Sequence, residues 1–497
     1  MSDQDPKSML KPTLDKDLAK MGKVEEAASF VSKGFAGQGI SLIFLVLVAS
    51  AAALLTDGDT GSIIIVAAAV LGGYMALNIG ANDVANNVGP AVGANALSLT
   101  GALIIAAIFE SAGAFLAGGD VVSTISKGII DPSSVESSEV FIWAMMAALI
   151  SSALWVNLAT WVGAPVSTTH SVVGGVMGAG IAAAGFAAVN WPKMSSIAAS
   201  WVISPVLGGL IAAGFLAFIK YFIIYREDKI AAAKRWVPVL IAIMAGAFAT
   251  YLSIKGVKKI VKIDMQTALM IGLGAMVFFY ALTRPLIARQ AKGLENRNQS
   301  LRKLFTIPLI FSAALLSFAH GANDVANAIG PLAAIVHTVE AGEIASKVEI
   351  PTWVMIIGAF GISFGLLLFG PKLIRMVGSQ ITKLNPMRAY CVALAAAITV
   401  IIASWLGLPV SSTHIAVGGV FGVGFFREWY TKNSKRRLAF AKPGDAKKVK
   451  RLPPEEIKYR KLVRRSHFLT IAAAWVITVP ASALMSALMF FALTAAF

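Results

Sequence analysis

The chain has 497 residues, of which 57% are hydrophobic and only 14% charged, and its mean hydropathy is +0.75. Soluble domains carry about 25% charged residues, so a water-soluble enzyme or binding module is excluded, and apolar runs of about twenty residues indicate helices rather than the short alternating strands of a membrane barrel. The formal charge of +17 lies in loops, as the positive-inside bias of a membrane protein produces, and implies no nucleic-acid partner; the single cysteine, Cys391, rules out an intrachain disulfide or a multi-cysteine metal site.

Residues 1–38 form a polar segment of mixed charge, assigned to the cytoplasm. The apolar stretch within 39–60 has no small-residue cleavage site behind it, which predicts an additional, uncleaved first helix. Spans near 61–79, 100–118, 140–162, 165–188 and 197–224 make up a first repeat, 61–224. Residues 225–303 contribute linking helices near 236–253 and 266–284 and a cytoplasmic loop. Spans near 304–319, 352–370, 387–406, 410–426 and 468–495 make up a second repeat, 304–497, around a basic loop at 427–465. The expected fold is an all-α polytopic membrane protein of about 12–13 segments. Some segments should be broken or re-entrant, because Gly, Pro, Ser and Asn sit in mid-span.

Loop charges orient the halves. The 284–303 and 427–465 loops are rich in Lys and Arg and should be cytoplasmic, whereas 56–60, 119–139 and 338–349 lean acidic and fit the outside. The 253–264 loop opposes this scheme: it carries Lys255, Lys258, Lys259 and Lys262, yet counting places it outside.

The heptad GANDVAN occurs at 80–86 and again at 321–327, inside stretches that otherwise read as lipid-embedded. A charge there costs between about 3 and more than 10 kcal/mol, so Asp83 and Asp324 are functional by default. Glycine, Asn and Asp weaken a helix, and each helix is expected to unwind at its heptad. Freed carbonyls, the amides of Asn82 and Asn323 and the carboxylates of Asp83 and Asp324 then make an oxygen-rich site for a coupling cation, with Asn86 and Asn327 as accessory groups. Sodium suits such ligands, with Asp83 and Asp324 holding the metal; a proton needs only the carboxylates.

A second pair of motifs reads PVSTTH at 165–170 and PVSSTH at 409–414. Proline, then hydroxyls, then a glycine-rich apolar run reads as a helix N-terminus within the membrane. Its unpaired N–H groups and dipole favour an anion. Ser167, Thr168, Thr169, Ser411, Ser412 and Thr413 add donors suited to a tetrahedral oxyanion. No basic residue lies within these motifs, so the anion should enter only when cations or protons neutralise the carboxylates.

Asp83 and Asp324 are 241 positions apart and His170 and His414 are 244 apart, so the halves align almost without gaps. TISKGIIDP at 124–132 also matches QITKLNP at 380–386. The first heptad helix leaves an acidic loop and the second a basic one, which predicts an inverted-topology repeat with the substrate near the midplane. Glu110 is a third intramembrane carboxylate, aligned with Ile362 or Ser363, and serves cation passage or a helix contact. His320 precedes the second heptad while Ile79 precedes the first, which argues against an essential role in a symmetric mechanism. His170 and His414 exchange protons or are structural. A Ser–His hydrolase reading of Ser167 and His170 lacks an orienting partner and a nucleophile elbow. Asn157, aligned with Ile401, is an asymmetric polar contact if it faces the pore.

In these paired motifs the chain resembles the PiT family of inorganic phosphate transporters, from about Leu71 to the C-terminus. The resemblance implies cation-coupled phosphate uptake, by sodium symport or by proton symport of phosphate or a metal–phosphate complex, with no cofactor and no enzymatic activity. It also implies two inverted repeats, a homodimer, and a multi-pass location in the inner (plasma) membrane bilayer. The family's essential aspartates fall on Asp83 and Asp324, its hydroxyl-bearing helix starts on 167–169 and 411–413, and its third acidic residue on Glu110. Two features depart from the family: Ala393 replaces a Glu or Gln of many relatives, and the leading segment with its helix is additional. A sulfate permease on the same scaffold is the alternative in substrate.

Overall fold

The apolar runs fold as helices whose starts are set by local chemistry. Ser98, Asn190, Asp228, Asp264 and Asn385 each accept a hydrogen bond from the first turn of the helix they precede, so one otherwise orphaned N–H is satisfied. The computed structural model describes residues 36–434 and 465–496, apart from 57, 59, 132–133, 163–165, 257–262, 345–349 and 381–383. The leading polar segment, most of the basic loop, Pro165, Lys258, Lys259, Lys262 and part of QITKLNP lie outside the described residues.

In chain order the helices are α1 (Ala36–Leu54), α2 (Thr60–Gly93), α3 (Leu99–Ala117), α4 (Gly119–Lys127), α5 (Ser138–Val162), α6 (Thr168–Ala184) and α7 (Trp191–Ile219). They continue as α8 (Lys229–Lys255), α9 (Met265–Gln290), α10 (Asn298–Leu304), α11 (Thr306–Ala341), α12 (Thr352–Gln380), α13 (Pro386–Trp405), α14 (Ser412–Asn433) and α15 (Arg465–Ala496). Among the described residues, 11 helices are long and apolar enough to cross a membrane. The difference from 12–13 lies in α6 and α14. With 17 residues, α6 reaches about 26 Å at 1.5 Å per residue, short of a hydrocarbon core of about 30 Å. Thr168 and Ser412, which open α6 and α14, are both 2% exposed, so these helices begin inside the protein rather than at its surface.

Each half packs by exchange with the other: α2 lies along α12 as α3 lies along α11, and α6 along α15 as α14 along α7. The register repeats to the residue. A Cβ on Gly80 would overlap the carbonyl of Ile362, and one on Gly321 that of Glu110; Gly365 meets Leu77 in the same way, and Gly113 meets Phe318. Steps of 241 on α2 and α11 and of 252 on α3 and α12 convert each of these contacts into its counterpart. They also settle that Ile362 is the equivalent of Glu110. Ser111 and Ser363, likewise 252 apart, bond to each other at 2.6 Å, where α3 meets its own counterpart. On α7 and α15 the step is 274, matching Pro205 to Val479 and Gly209 to Ala483. It reveals a further repeat, WVIS at 201–204 and WVIT at 475–478.

The equivalent helices α2 and α11 also touch directly, and they run in opposite directions. Gly72 meets Leu332 at one end of the contact, and Asp83 faces His320 at the other. Close approach at the glycines leaves no room for a methyl group. Gly365→Ala should lower thermal stability in detergent by about 1–3 kcal/mol or more, because a backbone carbonyl rather than a side-chain end must move. An unchanged melting temperature would show that α2 and α12 can separate freely.

Candidate functional site

The heptads do not unwind. α2 and α11 stay helical through 80–86 and 321–327, contrary to expectation, because the polar side chains find partners on other helices instead of competing for their own backbone. Asn82 donates to Thr160 Oγ1 at 2.9 Å. Asn323 donates to Ser404 Oγ at 3.0 Å and to the Leu408 carbonyl at 3.1 Å, and accepts from the Val410 N–H at 3.1 Å. No backbone carbonyl is therefore released as a cation ligand by unwinding.

The breaks occur instead before the hydroxyl motifs. Helix α13 ends at Trp405, and Gly407, at φ +64°, turns the chain into an extended run before α14; only glycine takes that conformation without strain. Ser167 and Ser411 accept from His170 N and His414 N at 3.1 and 3.3 Å, so their oxygens serve as N-caps. The next two residues of each motif point at the heptads. Thr168 donates to Asp83 Oδ2 at 3.0 Å and Thr413 to Asp83 Oδ1 at 3.0 Å. Ser412 donates to Asp324 Oδ2 at 3.4 Å, Asn86 to Thr413 Oγ1 at 2.7 Å, and Asn327 to Thr169 Oγ1 at 3.1 Å. Thr169 itself donates to the Val410 carbonyl at 3.0 Å. The four motifs, far apart in sequence, thus close on one buried site.

His320 stands at its centre. Nε2 lies 3.0 Å from Asp324 Oδ2 and 3.8 Å from Asp83 Oδ2, and Nδ1 lies 3.3 Å from Glu110 Oε2. These are ion-pair distances without the angles of a hydrogen bond. Symmetry is a poor guide to this residue: its counterpart Ile79 is apolar, yet His320 is the group that faces all three carboxylates. No basic residue lies within the motifs themselves, but His320, one position before the second heptad, places a titratable ring among the carboxylates. One ring can still balance no more than one of the three carboxylates.

Glu110 joins the same cluster, its Oε1 accepting from Asn87 at 2.8 Å. Asn87 follows the first heptad directly and has Ala328 at the matching place in the second half, so motif comparison does not single it out. Of the buried oxygens that lack a hydrogen-bond donor among the described residues, four belong to the heptads and their immediate neighbours: Asn87 Oδ1, Glu110 Oε2, Asp324 Oδ1 and Asn327 Oδ1. Buried acceptors are rarely left so, and oxygens of this kind are the hard ligands a cation takes. On the other side of the hydroxyls the rings of His170 and His414 meet at 4.5 Å, and His170 packs on Trp201 at 3.9 Å. Trp201 donates to the Pro409 carbonyl at 3.0 Å and so fixes the second break. That contact favours a structural role for His170.

Asn157 does face open space. It donates to Asn78 Oδ1 at 3.0 Å, and both line a cavity of about 730 Å³ with Gln38, Ser41 and Thr160. Thr160, in the cavity wall, accepts from Asn82 of the first heptad, and α1, the additional helix, forms another part of the wall. Converting either Thr168 or Thr413 to valine should raise the KM for uptake about ten- to hundredfold, since a hydrogen bond to a charged group contributes about 1.5–3 kcal/mol. Initial-rate uptake measures this; an unchanged KM would remove that hydroxyl from the site.

The profile of the phosphate transporter family matches residues 79–486. A protein of Helicobacter pylori that is a phosphate permease by name is 45% identical, over 96% of this chain and 98% of its own. A Pyrococcus abyssi protein, also a phosphate permease by name, is 36% identical over 85% of this chain and 96% of its own. Among solved structures, one titled as the sodium-dependent phosphate transporter superposes with a TM-score of 0.77 at 33% identity, covering 88% of this chain and all of that one. The chain is a multi-pass membrane protein and belongs to the phosphate transporter family.

Proposed function

We propose that the protein imports inorganic phosphate by symport with sodium, through alternating access around the Asp83–Asp324 site near the membrane midplane. The observation that carries this reading is Asp83: one buried carboxylate accepts hydroxyls from both helix starts, Thr168 on α6 and Thr413 on α14. The donors that phosphate needs are thus engaged by the carboxylate that a cation needs. A sodium ion on Asp83 takes over lone pairs that the two hydroxyls now use and frees them for an anion lying between the helix N-termini. Phosphate alone meets bare carboxylates, at a cost of about 4 kcal/mol per pair of unit charges 4 Å apart at an effective dielectric near 20. Each ion therefore enters well only with the other.

The donorless oxygens on α2, α3 and α11 support sodium, as does the sodium dependence named for the solved relative. The opposed directions of α2 and α11, with exchange packing between the halves, support an inverted repeat about an axis in the membrane plane. The loop charges support a plasma-membrane orientation with the basic loops inside.

Proton coupling is the second reading. It is favoured by His320, whose Nε2 and the Asp83 and Asp324 oxygens lie within 4.8 Å of one another. Proteoliposomes given a sodium gradient at equal pH, or a pH gradient without sodium, separate the two. Labelled phosphate should accumulate under the first and resist excess sulfate. Accumulation under the pH gradient alone would establish the proton, and accumulation under neither would overturn symport.

A further inference from the structure

The nine residues of α4 lie across the second break. Thr124 donates to the Gly407 carbonyl at 2.7 Å in a buried contact, and a Cβ on Gly407 would lie 3.5 Å from the Asp120 carbonyl. The residues just beyond Gly407 are the ones that hold Asn323, through the Leu408 carbonyl and the Val410 N–H. Asn323 adjoins Asp324, and Ser411 to Thr413 follow directly in the chain. A continuous set of contacts therefore runs from α4 to the site. At its outer end α4 is tied down: the Asp120 carboxylate pairs with the Lys255 ammonium at the end of α8. The same ammonium lies 3.5 Å from the Trp405 carbonyl, where α13 stops. Lys255 belongs to the one loop whose basic residues run against the loop-charge scheme, and Asp120 gives that charge a specific partner on the same face.

We propose that α4 is the gate on the face marked external by the acidic loops, with Asp120–Lys255 as its latch and Thr124 as the residue that positions the phosphate-binding break. The identity of the cargo in this proposal rests on the phosphate reading of the site; the gate itself does not. The two contacts have different characters. Asp120 is half exposed, at 49%, and Lys255 is 21% exposed, so the latch exchanges readily with water. The Thr124 bond is buried and holds the break in its closed position until α4 moves. Opening releases Gly407 and the residues around Asn323, exposing the start of α14 and Asp324 to the outside.

The buried Cys391 is first replaced, as Cys391→Ala, to give a background without thiols. In it, Asp120→Cys and Lys255→Cys are joined by a short reducible thiol cross-linker, and the protein is reconstituted with a sodium gradient. The cross-linked protein should lose at least tenfold in phosphate uptake, and reductant should restore it in the same sample, which excludes misfolding. Uptake by the cross-linked protein at the uncross-linked rate would overturn the gate. If the uncross-linked parent carries no phosphate under any gradient, the cargo reading falls and the second arm still tests the gate. There, Leu408→Cys is labelled with a membrane-impermeant maleimide added outside. Thr124→Val should raise the labelling rate about fivefold, the population change that one net hydrogen bond carries, and Thr124→Ser should leave it unchanged. Equal rates for the valine and serine variants, or labelling only from the cytoplasmic side, would overturn the proposal.

Discussion

Asp83→Asn should abolish phosphate uptake, by at least about a hundredfold, while the protein still inserts and melts as the parent does. Two losses combine in this one substitution. A cation about 4 Å from a full carboxylate gains roughly 4 kcal/mol at an effective dielectric near 20, which corresponds to nearly a thousandfold in affinity. The amide also has one acceptor oxygen where Asp83 uses two, for Thr168 and Thr413. Asp324→Asn should be as damaging to cation binding but milder toward the hydroxyls, since among the described residues a single hydroxyl, that of Ser412, donates to Asp324, at 3.4 Å. Labelled phosphate uptake into proteoliposomes, with a thermal melt of the same preparation, provides the measurement. Uptake at the parent rate by both variants would remove the aspartates from the coupling site.

His320→Gln should be nearly as severe, lowering uptake about ten- to hundredfold and raising the sodium concentration needed for half-maximal rate. The glutamine fits a comparable space but cannot carry positive charge, so Asp83, Asp324 and Glu110 face one another with only imported cations to separate them. The charge argument has a specific corollary. Adding Glu110→Gln removes one of the three carboxylates and should recover part of the loss, as coupled neighbours do in a double-mutant cycle. If His320→Gln matches the parent, or Glu110→Gln worsens it additively, the ring is a packing residue and the electrostatic account fails.

The chain by itself determined the class of the protein and which motifs make up its candidate site. Apolar runs and loop charges follow from the cost of burying backbone and charge in lipid, a local property of each segment. The heptads and hydroxyl motifs were legible as pairs, and the structure brings Asp83, Asp324, Thr168, Thr413, Ser412, Asn86 and Asn327 together as the spacing suggested. N-caps such as Ser167 and Ser411 were legible too, though as donors to an anion rather than as acceptors from His170 and His414.

Other features were decided only by the tertiary packing. Whether a helix unwinds at Gly-Ala-Asn-Asp depends on whether Asn and Asp find outside partners. Thr160, Ser404 and the Leu408–Val410 segment supply those from 78 to 87 residues away. The counterpart of His320 in the first half is the apolar Ile79, so repeat comparison discounts it, and only the meeting of α2, α3 and α11 shows three carboxylates around its ring. Lys255 looked like a misplaced charge until α4 was seen to bring Asp120 to it. In each case a buried polar group settles its partner through contacts between helices distant in sequence, and no local rule reads those contacts before the chain has packed.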